Sequence, residues 1–364
     1  MKHLFLFALV SVLAIRTFAQ QTNWSPAYPK LNSVTPLTKK SFANPKPEDL
    51  PWVRWNFPPE TAHLAELEKQ LMDLKAAGIA GVEIGQGGEP TLAQIEGLLK
   101  KGNELGIKIS LKYKTGAPIP GNFSIKHDFA RKTLSASDTL LTAGKSYADS
   151  LPGKGAILAV HAYRVSQMPA KGSKLLTINP STRINLTDQI IAGKSKGYFG
   201  KPMSGFLTWS SPAGEGTWAL IVIRMAGVDP QPEVFSKEGT QLLIQGYEAY
   251  WTPSIKALLK QNGGDIFIDS HSIDGFGAPS DVWSSNMASD FKAQKGYDLM
   301  LHLPALIDAG IDRVWGPRGG GMDIKHYYAY SDQSDVRIRA DYNQVRTNLF
   351  VENRIKPFSD WAHG

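Results

Sequence analysis

In the stretch GGDIFIDSHSIDGFGAPSDVW (263–283), the apolar run Ile266, Phe267, Ile268 ends directly on Asp269. Ser270, His271, Ser272 and Asp274 follow within a glycine-rich segment. A carboxylate in such a place positions a substrate or an ion, or it caps the next turn through its own side chain. His271 beside it is either an ordinary hydrogen-bonded histidine or a base, and no second histidine stands at metal-ligand spacing. An earlier stretch, AGVEIGQGG (80–88), has the same shape, with Glu83 inside the apolar run and Gln86 among glycines. Glu83 binds substrate if its side chain faces a cleft and pairs with a lysine if it faces away, and strand alternation cannot be phased from sequence alone. Lys112–Lys114 ends a third run of this kind. Trp52, Trp55 and Trp283 offer flat faces on which a ligand ring stacks, or they fill a core.

Residues with these roles need strands that all end on one side. PWVRWNF (51–57), IAGVEIG (79–85) and IKISLKY (107–113) read as such strands, with helices between them. Leu64, Leu67, Leu71 and Leu74 recur at steps of three and four, with Thr61 placed to cap the start and Gly78 to end the helix. Thr91 and Gln94 stand at capping-box spacing ahead of a second helix whose face is Leu92, Ile95 and Leu99. A weak strand at 241–244 and a further one at 265–269 complete the series. Strand–helix repeats of this length argue for parallel pairing with right-handed crossovers. Such strands are buried on both faces, which accounts for their near-continuous apolar character. In parallel α/β sheets function gathers beyond the carboxyl ends of the strands. That explains why a buried strand ends on Asp269.

From about 135 to 235 the helical period disappears. AILAVHAYRV, KLLTI, GFLTW and TWALIVIRM read as strands, with SSPAGEG between the last two as a hairpin loop. The fold class expected is α/β, a partial TIM-type (β/α) barrel with an inserted antiparallel β-rich subdomain. Its parts are a signal peptide (1–19), a tether (20–50), a first barrel part (51–135), the β-rich insertion (136–235) and a second barrel part (236–364), incomplete at its C-terminal end. The last segment reads as a long helix with Ile338, Tyr342, Val345 and Leu349 on one side, interrupted at Pro357, with Arg337, Arg339 and Asp341 in structural ion pairs. WGPRGGGMD (315–323) lacks the Lys-Ser/Thr pair of a phosphate loop and reads as a flexible loop.

Three blocks resemble, in order, the barrel domain of family 106 glycoside hydrolases, the α-L-rhamnosidase-type enzymes of plant-glycan-degrading bacteria. They are PWVRWNFPPETAHLAELEKQLMDLKAAGIAGVEI, then FIDSHSIDG with VWSSNMASDFKAQKGYDLMLHLPAL, then RIRADYNQVRTNLFVENRIKPFSDWAHG. The resemblance implies a barrel of parallel strands, export, inverting hydrolysis of a terminal deoxy-sugar, and a calcium ion in or near the site. Inverting hydrolysis uses two carboxyl groups roughly 6.5–9.5 Å apart, one protonating the leaving oxygen and one activating water. Asp269 and Asp274 are the catalytic candidates, and Trp55, Glu83, Lys112, His271 and Trp283 the substrate-binding ones. Family members usually carry a glutamate a couple of residues after this Asp-Ser, where the chain has His271 and Ser272. A serine without a partner is no general base at neutral pH. The rival reading is a non-catalytic carbohydrate-binding relative or an inactive fragment.

The bulk properties agree with an exported protein. Lys2 and His3 precede LFLFALVSVLAI, with Ala19 before a cleavage point, so a periplasmic or extracellular place is expected. The chain has no cysteine, which excludes disulfides, thiolate metal sites and a lipoprotein anchor. The formal charge is +7 over 364 residues. Without residues 1–19, thirty-eight basic face thirty-three acidic side chains, leaving +5. The basic residues are scattered, which argues for a solvated surface and against a nucleic-acid partner. An oligosaccharide or polysaccharide is the expected partner, and no stretch after residue 20 is long and apolar enough to span a bilayer.

Overall fold

A computed structural model describes residues 38–43, 45–46, 49–57, 63–87, 90–113, 129–268, 283–307 and 325–364. Two units are distinguished, Met1–Leu50 and Pro51–Gly364. The first contains a short helix, Lys39–Ala43.

Four strands run in one direction. They are β1 (Trp52–Phe57), β2 (Gly81–Gly87), β3 (Lys108–Tyr113) and β12 (Ile266–Ile268), paired in the order β1-β2-β3-β12 and all parallel. Helices α1 (Leu64–Ala76) and α2 (Leu92–Leu105) connect the first three. The expected capping box at α2 is formed. The Gln94 amide donates to Thr91 Oγ1 at 3.2 Å, and the Thr91 amide donates to Gln94 Oε1 at 2.8 Å. Gly78 takes φ +83 just past α1, a left-handed conformation that suits glycine. The start of α1 differs from the expectation. Its first-turn cap position is His63, which makes no side-chain cap bond, and Thr61 lies outside the described residues.

The expected strand at 241–244 is a helix. Ser236 caps α3 (Lys237–Tyr250) by accepting from the Gly239 amide at 3.0 Å, and Leu243 and Tyr247, four apart, supply its buried face. A short apolar run carries no period of its own, so the helical context decided it. Helix α4 (Pro253–Asn262) then ends on Gly263 in the left-handed region and leads into β12. Among the described residues the sheet is therefore open, with β1 and β12 at its edges, and no closed barrel is formed.

Antiparallel strands run from Ala130 to Pro232: β4 (Ala130–Thr142), β5 (Ser146–Ser150), β6 (Ala156–Gln167), β7 (Leu175–Ile178), β8 (Ile184–Asn185), β9 (Ile191–Ala192), β10 (Gly205–Ser210) and β11 (Thr217–Pro232). The larger sheet has the order β13-β7-β6-β11-β4, with β8 on β6 and with β13 (Tyr327–Tyr330) parallel to β7. The smaller sheet is β5-β10-β9. SSPAGEG is accordingly not a hairpin loop, because β10 and β11 belong to different sheets and the segment crosses between them. One face of the larger sheet (Val160, Ala162, Leu220, Val222) packs against Tyr147, Leu207 and Trp209 of the smaller sheet. The other (Leu134, Ala159, Tyr163, Ile221, Ile223) packs against helical residues Met287, Phe291, Leu303, Ile338 and Tyr342.

Helix α5 (Met287–Lys295) and a 3₁₀ segment, Leu299–Leu306, precede α6 (Ser334–Phe350). The expected face of α6 is the buried one, Ile338, Tyr342, Val345 and Leu349. Arg339 pairs with Asp335 at 2.8 Å, and Lys295 pairs with Asp341 at 3.0 Å. A π-turn at Val351–Ile355 leads to α7 (Lys356–His363), with Pro357 in its first turn. No helix among the described residues is long and apolar enough to cross a membrane.

Candidate functional site

The register of the parallel sheet decides which side chains share a face. Arg54 stands opposite Glu83, Glu83 opposite Ser110, and Ile266 opposite Leu111, which sets Asp265 beside Ser110. Side chains alternate along a strand, so this row lies on one face and the neighbouring row on the other. The second face is apolar. Val53, Trp55, Val82, Ile84, Ile109 and Leu111 meet Leu67, Leu71, Leu98 and Leu99 of the helices. The first face is polar. Arg54 Nε donates to Glu83 Oε2 at 2.9 Å, and the guanidinium sits 4.8 Å from the centre of the Phe267 ring. Ser110 Oγ donates to the Asp265 carboxylate. Glu83 stands on the face of the sheet opposite the helices, where its carboxylate is paired with Arg54.

Trp55 belongs to the apolar face. It is buried, edge-on to Phe57 at 5.5 Å, and its Nε1–H donates to Gln70 Oε1 at 3.2 Å. Its parity with Val53, opposite to Arg54, fixes this. Trp283 is buried in a different core, that of the larger antiparallel sheet, and its backbone bridges to Lys132. Of the alternatives for these two indoles, the structure shows core packing. Lys112 is the register partner of Phe267 on β3, in the same sheet as Glu83. Asp269, His271 and Asp274 lie outside the described residues, as do Lys114 and 315–323. The strands that lead to them share a direction, so Phe57, Gly87, Tyr113 and Ile268 are neighbouring carboxyl ends.

The structure also assembles polar groups that no local pattern announced. Lys132 and Glu233 form an ion pair at 3.1 Å with both side chains fully buried. Lys132 also donates to the Ala130 carbonyl at 2.6 Å and lies 4.7 Å from the centre of the Phe199 ring, while Ser285 donates to the other Glu233 oxygen at 3.3 Å. The two partners are 101 positions apart, so only tertiary structure brings them together. A second cluster joins strands β4 and β13. The buried Asp138 carboxylate accepts from Tyr328 at 3.0 Å and lies 2.9 Å from His326 Nδ1. Burial and that carboxylate push the Tyr328 phenol well above its ordinary range. His161, two strands along the same row, is held down to about 4 by burial first, then by Arg183 and His302. Among the described residues no three carboxylate or imidazole side chains stand together as a metal cage of the kind calcium takes.

No protein-family model matches the chain, and no curated protein matches it. Among solved structures, a rhamnosidase from Novosphingobium sp. PP1Y superposes on 90% of this chain with a TM-score of 0.56 at 13% identity. The fold is rhamnosidase-like. The rhamnosidase-like fold spans 46% of that enzyme's own length. Identity this low carries the arrangement of strands and helices and does not by itself carry a catalytic residue from one chain to the other.

Proposed function

We propose that this protein is a glycoside hydrolase of the α-L-rhamnosidase type, of the kind grouped in family 106, acting on terminal deoxy-sugars of plant-type glycans. The observation that carries the reading is the shared direction of β1, β2, β3 and β12 within a rhamnosidase-like fold. Parallel strands of this kind place function beyond their carboxyl ends, where Asp269 follows Ile268 directly. In this reading the (β/α) units form part of a barrel interrupted by the β-rich segment. Asp269 and Asp274 supply carboxyl groups, and Glu83, Lys112 and His271 contact the sugar. Export through residues 1–19 belongs to the same proposal and is checked by N-terminal sequencing of the periplasmic or secreted product.

A second reading has its own support. Ser272 stands where the family resemblance places a glutamate, which favours sugar binding without turnover. Two measurements on the chain decide between them. Calorimetric titration with L-rhamnose is expected to show binding that Asp269→Asn weakens at least tenfold, and a wild-type chain without affinity for rhamnose overturns both readings. An absence of p-nitrophenol release from the α-L-rhamnoside, with rhamnose binding retained, would favour sugar binding without turnover. Turnover abolished by Asp269→Asn would establish the hydrolase reading directly. Calcium enters only through the resemblance, and melting with and without EDTA tests it: an unchanged transition removes the ion from the proposal.

A further inference from the structure

We propose that the hairpin at residues 191–206 is a docking surface for an acidic polysaccharide, one bearing uronate carboxylates. The hairpin is well defined. Ile191 pairs with Phe206 and Ala192 with Gly205, the Gly193 amide donates to the Ser204 carbonyl at 2.9 Å, and Lys196 bridges to Pro202 near the tip. Along β10, Leu207 and Trp209 turn inward to the sandwich core, while Phe206, Thr208 and Ser210 turn outward. The outward row carries two large apolar side chains directly opposite each other, Ile191 at 68% and Phe206 at 39% exposure. Adjacent exposed hydrophobics of this size on a strand pair call for an explanation.

Charge indicates the kind of partner. Lys194, Lys196 and Lys201 sit on the same hairpin, and among the described residues none of them is in an ion pair. The only acidic residue between 186 and 206 is Asp188. The surplus extends over the β-rich segment, where residues 130–235 hold twelve Lys and Arg against six Asp and Glu, most of the formal charge of the chain. Exposed apolar side chains and ammonium groups outside any ion pair, carried on one hairpin, match pyranose rings bearing carboxylates. The C–H face of the sugar lies on Phe206, and the carboxylates of successive units meet the lysines. A lipid surface fits less well, since membrane-surface binding of this type uses a long amphipathic helix with a broad apolar face, and here only two side chains of a strand row are presented. The inference rests on the glycoside-hydrolase reading for its biological sense, and its test needs no hydrolysis.

Affinity electrophoresis of the full chain through gels containing polygalacturonate provides that test, with uncharged dextran and vesicles of mixed phosphatidylglycerol and phosphatidylcholine as alternatives. Polygalacturonate is expected to retard the chain and dextran to leave it free. K194A/K196A/K201A is expected to weaken binding by about tenfold or more, and added salt to weaken the wild type. Phe206→Ala is expected to weaken it separately, and thermal melts establish that both variants fold. Retardation unchanged in the triple variant overturns the proposal, as does equal binding to dextran or to the vesicles. Loss of rhamnose affinity in Asp269→Asn with polygalacturonate binding intact would separate this surface from the proposed sugar site.

Discussion

Arg224 shows how a charge can be buried without a countercharge. Its guanidinium donates to four backbone carbonyls, Pro152 (2.8 Å), Gly155 (2.7 Å), Met203 (3.0 Å) and Leu151 (2.9 Å), and so ties strand β11 to the β5–β6 turn and to Met203, two residues before β10. The planar fork is what permits this, and a lysine ammonium cannot reach the same four oxygens. Arg224→Lys is expected to destabilise the fold by about 2 kcal/mol and Arg224→Met by about 3 kcal/mol, read from urea midpoints, because carbonyls are left unpaired inside. None of this was legible in TWALIVIRM, where the arginine merely interrupts an apolar strand and its partners lie 21 to 73 positions away. His161 carries a second expectation. The folded state keeps it neutral down to about 4, while the unfolded chain titrates it near 6.5. Between those values the unfolded chain holds more protons, so stability falls as pH drops from 6.5 toward 4, by on the order of 3 kcal/mol at the bottom of the window. Melts of His161→Gln at pH 7 and pH 5 are expected to lose that part of the acid sensitivity.

Among the elements, the junction of α4 with β12 deserves the closest test. Asn262 at the end of α4 uses its side chain as a piece of strand. Oδ1 accepts from the Ile109 amide at 2.7 Å, and Nδ2 donates to the Ile107 carbonyl and to Asn103 Oδ1, both at 3.0 Å. Gly264 follows so close to β3 that an added Cβ would meet the Ile109 carbonyl oxygen at 1.9 Å. Asn262→Ala is expected to cost about 2 kcal/mol by orphaning the Ile109 amide, with faster hydrogen exchange at that amide as the readout. Periodicity and capping chemistry made α2 and the buried face of α6 readable from Thr91–Gln94 and from Ile338, Tyr342, Val345 and Leu349. The Gly263–Gly264 pair marked the end of α4 without revealing why glycine is needed there. The run at 241–244 was misread because it is too short to show a period.

At the scale of the whole second unit, the last helices connect two cores. Helix α6 buries its face with the larger antiparallel sheet, whereas Phe358 and Trp361 of α7 join the core of the parallel sheet. Trp361 stacks on Trp251 at 5.8 Å and 17°, and its Nε1–H donates to Glu248 at 2.7 Å. Trp361→Ala is expected to lower stability by about 2 kcal/mol and to split a single calorimetric transition into two, since the strut would then hold only one core. An unsplit transition would show that other contacts couple the cores. The sequence carried the order of the first three parallel strands and the existence of a β-rich segment. The direct pairing of β12 with β3 was not readable, because edge pairing depends on partners far along the chain. The pairing of β3 with β12 has a cost during synthesis. Ser110 and Asp265 are 155 positions apart, so the β3 edge leaves the ribosome long before its neighbour exists. Until then its amides and carbonyls are open to the wrong strand. Slowing translation across the β-rich segment would prolong that exposure, and it should raise the yield of aggregate rather than of folded protein.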